Sequence, residues 1–265
     1  MMMKTDFFET GFAQVGPLRM YYEIYGEGTR PLVLIHGGGS TLATSFEGIL
    51  PALSRNRRVI GVELQGHGHT EELDRAYSFE QDADDVAGLL QSLGISQADF
   101  FGFSNGGSTA MQIGIRHAGL VNRLVVASSF YQREGMIPGF FEGLEAAAVE
   151  KMPRVLQDAY LDITHDPKGL AVMLDKDRDR MLRFQDWTDE MLKSIQAPVL
   201  IVGGDRDVIR PEHFVQMSRV IPKARLMILP ANHGSYLAER SAGRHSEPVV
   251  AMVVTNIESF LNDEI

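Results

Sequence analysis

The chain has 265 residues, 44% of them hydrophobic and 23% charged, which is globular composition with enough apolar material for a large core. Lys and Arg number 25 against 35 Asp and Glu, a formal net charge of −10, so an electrostatic partnership with nucleic acid has no support. Cysteine is absent, which removes disulfides, thiolate catalysis and Cys-ligated metals together.

From Met1 to Glu9 no apolar stretch reaches signal-peptide length, and no segment of the chain approaches the roughly 20 apolar residues of a membrane helix. The default expectation is a cytoplasmic protein with no membrane partner.

Leu18 to Tyr25 is rich in β-formers and follows the turn residues Val15-Gly16-Pro17, which predicts an antiparallel hairpin. From residue 31 short apolar runs alternate with helical patterns. The runs are Leu32–Ile35, Val59–Val62, Asp99–Phe103, Leu124–Ala127, Pro198–Val202 and Leu226–Leu229. Runs apolar at every position suit parallel strands covered on both faces. Ser78-Phe79-Glu80-Gln81 reads as a capping box, in which the Ser hydroxyl and the Gln side chain satisfy each other's backbone amides. Behind it Ala83, Val86, Ala87, Leu90 and Leu93 recur at helical spacing, and Gly94 ends the run. Pro211 and Pro248 stand where two further helices begin.

The alternation predicts an α/β fold: a mostly parallel central sheet flanked by helices. Residues 131–190 interrupt it with scattered Met, Phe and Leu among charges, and are expected to be a helical cap inserted into a core made of residues 1–130 and 191–265.

Gly102-Phe103-Ser104-Asn105-Gly106 joins a strand to a helix, the setting of the G-x-S-x-G nucleophile elbow. A turn so tight excludes bulky flanking side chains, and it lifts the serine to a helix N-terminus that favours developing negative charge. A glycine-rich turn with an incidental serine would look the same locally, so the partners matter. Downstream, one strand ends in Gly204-Asp205-Arg206-Asp207 and the next in Pro230-Ala231-Asn232-His233, giving the order serine, acid, histidine. A serine hydroxyl needs a base to become nucleophilic, neutral imidazole suits that task near pH 7, and a carboxylate fixes the tautomer. Asp205 and Asp207 compete for the acid. His213 and His245 compete with His233, the first inside a helix start and the second in a polar stretch.

Oxyanion stabilisation requires backbone N–H groups. Asn105, directly after the serine, and Gly38 in His36-Gly37-Gly38-Gly39 are the expected pair, with Gly39 as the rival. Gly66-His67-Gly68-His69 offers two ring ligands without an evident carboxylate partner, a weak basis for a metal, and the glycine loop lacks the Lys-Ser/Thr tail of a phosphate-binding loop. No metal and no cofactor are expected.

Taken together these motifs resemble the α/β-hydrolase family in its form with a helical cap between strands six and seven. The likeness runs from His36-Gly37 to the C-terminal helix. Gly204-Asp205-Arg206-Asp207 matches the family's G-x-x-D turn, which implies Asp207 as the acid. Glu63-Leu64-Gln65-Gly66-His67-Gly68-His69-Thr70 departs from the family's D-x-x-G-x-G-x-S loop, at positions that are structural there. Serine at the elbow argues against haloalkane dehalogenation, and the 35 residues before His36 are too few for the N-terminal cap of hormone-sensitive-lipase-like esterases. Carbon–carbon bond hydrolases usually continue their glycine loop with a Pro-Gly that Gly38-Gly39-Ser40-Thr41 lacks.

The resemblance implies hydrolysis of a carboxylic ester or lactone through an acyl-enzyme on Ser104. Its rivals are amide or C–C bond cleavage, acyl transfer, perhydrolysis, and a non-catalytic ligand-binding role. The expected partner is a small molecule with an apolar acyl part, met by cap residues such as Phe140, Phe141, Met181, Phe184 and Trp187, with Met136, Met152 and Met173 as further apolar candidates.

Overall fold

Eight strands make one sheet in a computed structural model that describes residues 9–263. They are β1 (Glu9–Val15), β2 (Leu18–Tyr25), β3 (Leu32–Ile35), β4 (Val59–Val62), β5 (Ala98–Phe103), β6 (Val121–Ala127), β7 (Val199–Arg206) and β8 (Ala224–Asn232). Most of the Met1–Glu9 segment weighed above as a leader lies outside the described residues. The order across the sheet is β1-β2-β4-β3-β5-β6-β7-β8. β1 pairs with β2 and β2 with β4 antiparallel, while every later pairing is parallel. The predicted hairpin and all six apolar runs are therefore strands of one sheet.

Five of the apolar runs are continuous because both faces are covered; the sixth lies in the edge strand β8, where Leu229 is buried but Ile228 is exposed. Val33, Ile35, Ile60, Val62 and Phe100 point into a core closed by the helices Phe79–Ser92 and Asn105–Arg116. Leu32, Leu34, Val59, Phe101 and Phe103 point the other way, against Phe46, Leu53 and the helix Glu247–Leu261. Successive side chains alternate between the two layers, as a pleated strand demands. Ser78 caps its helix by accepting from the Gln81 N–H, but the predicted box is half made: the Gln81 side chain donates to Asp85 instead.

Between β6 and β7 the chain forms four α-helices, Phe140–Glu145, Arg154–Thr164, Pro167–Leu182 and Asp189–Lys193. Met152, Leu156, Tyr160, Leu170 and Met173 pack among themselves and on Tyr77. Met136, Met181, Phe184 and Trp187 join the sheet's own core instead. Among the described residues no helix is long and apolar enough to cross a membrane.

Candidate active site

The C-terminal ends of β5, β7 and β8 meet at one edge of the sheet. Ser104 follows β5 directly, at φ 54° and ψ −121°, a conformation that non-glycine residues rarely adopt. The turn tolerates nothing larger than hydrogen at its flanks. A Cβ on Gly102 would lie 2.0 Å from the Gly106 carbonyl oxygen, and one on Gly106 would lie 2.1 Å from that of Ile35. Asp207 stands one residue past β7 and His233 one residue past β8. His233 Nε2 is 3.2 Å from Ser104 Oγ, and His233 Nδ1 is 2.6 Å from Asp207 Oδ1. Three residues scattered over the sequence thus form one hydrogen-bonded relay.

The competing residues are occupied elsewhere. Asp205 is exposed and accepts from the Ala231 N–H at 3.0 Å, tying the ends of β7 and β8 together. His213 is buried, stacks on Tyr131 and accepts the Tyr131 N–H at Nε2; burial pushes its pKa down to about 4. His245 faces Glu247 at 3.0 Å.

Asp207 is buried, which by itself favours the neutral acid. The facing imidazole, the Ser128 hydroxyl and the Val208 and Ile209 N–H groups overcome that, and its carboxyl is held below the ordinary range. For His233 burial works against the charged ring, but Asp207 outweighs it and raises the pKa. The carboxylate has a support that sequence reasoning missed. Ser128 at the end of β6, itself at φ 49°, donates to Asp207 Oδ2 and meets the Tyr236 hydroxyl at 2.6 Å. Ser128-Ser129 just past a strand was the available signal.

The glycine loop after β3 lies against the serine. His36 accepts the Leu64 N–H at Nε2, 3.0 Å, so its proton sits on Nδ1 and is donated to the Gly37 carbonyl at 2.7 Å. Burial, with the nearby His67 ring second, lowers its pKa to about 4 and keeps it neutral. Gly39 donates its N–H to Asp177 Oδ2 at 2.5 Å, whereas the Gly38 and Asn105 N–H groups have no acceptor among the described residues. Gly38, Gly39, Ser104, Asn105 and His233 all border one cavity of about 380 Å³.

Of the apolar residues singled out in the inserted segment, Met136, Phe140, Met152 and Met181 border that cavity. Three of the expected substrate contacts do not. Phe184 and Trp187 pack edge-on against Phe79 and line a separate cleft of about 450 Å³. Phe141 lies under the Arg133 guanidinium, 3.6 Å from the ring centroid. Met173 is buried within the inserted helices. In their place the cavity wall includes Phe130, Leu144, Leu156 and Ile209. His67 and His69 do have carboxylate partners, invisible in the sequence, but different ones: Asp177 for the first and Glu63 for the second.

Residues 30–172, more than half of the chain, match the family described as alpha/beta hydrolase fold, and the chain belongs to that family. It is 29% identical over 240 residues to the dihydrolipoyllysine-residue acetyltransferase component of the acetoin cleaving system of Pseudomonas putida, covering 81% of this chain and 61% of that protein. It is 37% identical over 119 residues to the 2-hydroxymuconate semialdehyde hydrolase of Pseudomonas sp. strain CF600, covering 44% of this chain and 41% of that protein. The matched region is thus less than two thirds of either relative. Among solved structures, the enol-lactonase of Burkholderia xenovorans LB400 superposes with a TM-score of 0.73 at 23% identity, over 95% of this chain and 99% of that one.

Proposed function

We propose that this protein is a serine hydrolase that cleaves a carboxylic ester or lactone through an acyl-enzyme on Ser104. The observation that carries this reading is the relay from Ser104 Oγ to His233 at 3.2 Å and on to Asp207 at 2.6 Å, opening into a largely apolar cavity. His233 takes the serine proton as Oγ attacks the carbonyl carbon, then returns it to the leaving oxygen. Asp207 holds the ring with its proton on Nδ1 and stabilises the imidazolium. The free N–H groups of Gly38 and Asn105 receive the oxyanion. A water activated by His233 then hydrolyses the acyl-enzyme. Residues 131–190 act as a cap that shapes the acyl pocket over the hydrolase core. The enol-lactonase with the same fold supports the lactone branch of this reading.

A fluorophosphonate probe tests it, since only an activated serine beside N–H donors attacks phosphorus readily. The adduct is expected on the peptide holding Gly102 to Gly106, with turnover of p-nitrophenyl esters lost in Ser104→Ala. Folded protein that binds such esters without turning them over, or that is labelled elsewhere, refutes the proposal. The 37% identity to a 2-hydroxymuconate semialdehyde hydrolase favours a second reading, hydrolysis of a C–C bond by the same three residues. Turnover of that semialdehyde with no turnover of esters or lactones would establish it.

A further inference from the structure

Asp177 sits on the helix Pro167–Leu182, in the inserted segment, yet its carboxylate is buried at the mouth of the glycine loop. Oδ2 accepts the Gly39 N–H at 2.5 Å and faces His67 Nε2 at 3.0 Å, while Oδ1 accepts from Arg180. Arg180 in turn donates to Asp82 at 2.6 Å, on the helix Phe79–Ser92. One carboxylate is therefore held by two loops of the core and by Arg180 on its own helix, which is itself tied to a third part of the fold through Asp82. His67 Nδ1 faces the Gln65 carbonyl at 2.9 Å, an acceptor only, so both ring nitrogens donate and the buried ring is an imidazolium. Burial disfavours that charge, but Asp177 reverses the balance and raises the His67 pKa; Arg180 and His67 likewise keep Asp177 ionised against its own burial.

Buried ion pairs of this kind add little stability compared with apolar packing of similar volume. Holding the inserted helix to the core therefore does not by itself explain the network. Its effect on the loop does. Gly39 adopts φ +62°, and its N–H is consumed by Asp177, so it has no proton to offer a substrate. The Gly38 N–H next to it has no acceptor among the described residues, and Gly38 borders the cavity. Gly38 packs closely between the two side chains, since a Cβ there would lie 2.3 Å from Asn105 Nδ2 and 3.1 Å from Asp177 Oδ2. A bare carboxylate this close to a developing oxyanion would oppose it, and two cations neutralise this one.

We propose that Asp177 is a positioning residue: through the Gly39 N–H it fixes the glycine loop so that the Gly38 N–H is presented to the oxyanion. This rests on the hydrolase reading above. Asparagine at 177 keeps an oxygen for Gly39, while alanine does not. Asp177→Ala is expected to lower kcat on a p-nitrophenyl ester by about tenfold to hundredfold with KM little changed, since a misaimed donor acts on the transition state. Asp177→Asn should stay within about threefold of the parent because the acceptor is retained. Both variants should lose thermal stability alike, so a merely structural role predicts equal kcat in the two. Affinity for a trifluoromethyl ketone, which forms a tetrahedral adduct on the serine, should fall with kcat in Asp177→Ala; affinity for a non-reactive hydrocarbon inhibitor should not. Independently of any substrate, the Gly39 amide should be protected from hydrogen exchange in the parent protein. Rapid exchange there, or Asp177→Ala with the parent's kcat, overturns the proposal, and the exchange arm stands even if the alanine variant does not fold. Protection of Gly39 in a protein that turns over no ester or lactone would refute the hydrolase reading and, with it, the role of the loop in catalysis.

Discussion

Substrate length offers a measurement whose size follows from the cavity. Its apolar walls are of two kinds: Met136, Met152 and Met181 are buried, while Phe140 and Leu144 are only half-buried; Lys151, Asp177 and Arg178 also border the cavity. A methylene fully withdrawn from water contributes about 0.8 kcal/mol, roughly fourfold in kcat/KM if it is felt in the transition state. Four methylenes, from acetyl to hexanoyl, would give about 200-fold if all were fully buried. On the half-open side the gain per methylene is about half as large in free energy, or roughly twofold, so the expected climb lies between about 15-fold and 200-fold. A series of p-nitrophenyl esters from acetyl to decanoyl measures it, with kcat/KM rising to about butyryl or hexanoyl and then falling as the pocket fills. Leu144→Trp, at the rim, should move the optimum toward shorter chains and leave the acetyl ester nearly unaffected. A flat or steadily falling series in the parent protein refutes the idea that these side chains form an acyl pocket, and points to small polar lactones or acyl transfer instead.

His233→Ala and Asp207→Asn should each lower kcat by about 10³ or more with the fold intact, as other triads do. Asp205→Asn should cost far less, since that carboxylate only bridges two strand ends; steady-state kinetics with a swapped ranking would move the acid assignment to Asp205. Activity requires neutral His233, so it should fall as pH drops through the pKa of that ring. Asp207 and, more weakly, Glu239 raise this pKa against burial, which places the acid limb above the ordinary imidazole value of about 6.5. Asp207→Asn should move the midpoint of the residual pH–rate profile downward, and an upward move would contradict the electrostatic account. Ser128→Ala strips Asp207 Oδ2 of its hydroxyl donor and should lower kcat about tenfold, the worth of one hydrogen bond to a charged group; an unchanged kcat would show the Ser128 contact to be incidental.

The sheet was legible because its chemistry is local. Leu32–Ile35 and Val59–Val62 are apolar at every position, which only a strand covered on both faces requires, and both are strands with every residue buried. The serine, acid and histidine were legible for the same reason: each lies just past such a run, and parallel strands deliver their C-terminal ends to one edge. The choice between Asp205 and Asp207 was not local. It depends on a register shift between β7 and β8, which leaves Asp205 facing outward on the Ala231 N–H and turns Asp207 in toward His233. The capping box failed by one arm because Asp85, one turn further along, competes for the Gln81 side chain.

The inserted segment was the least readable part, and Met181 and Phe184 show why. They stand three residues apart at the end of one helix and its exit, similar in size and hydrophobicity. Met181 reaches the Ser104 cavity, while Phe184 turns to Phe130 and Phe79. Composition identifies both as apolar surface to be covered; only the angle at which the helix docks decides which of them a substrate could touch. That angle is set in part by Asp177, Arg180 and Asp82, whose mutual pairing spans 98 residues of sequence and leaves no periodic trace.

His36 and His67 carry the contrast furthest. Their rings are 4.9 Å apart, both fully enclosed, yet one is neutral and the other charged. The difference lies in what each nitrogen faces. His36 meets one donor and one acceptor, both backbone, and so is fixed as a neutral tautomer that ties β3 to the Leu64 turn. His67 meets two acceptors, one of them a carboxylate from the inserted helix, and so must carry a second proton. The neutral ring braces the glycine loop from within the core, whereas the charged ring braces it only when Asp177 is in place. Ser104, Asp207 and His233 thus come from one edge of the sheet. If the loop is the oxyanion site we propose, its alignment depends through Asp177 on the segment that also walls the Ser104 cavity, so reshaping that wall should be expected to disturb the loop as well.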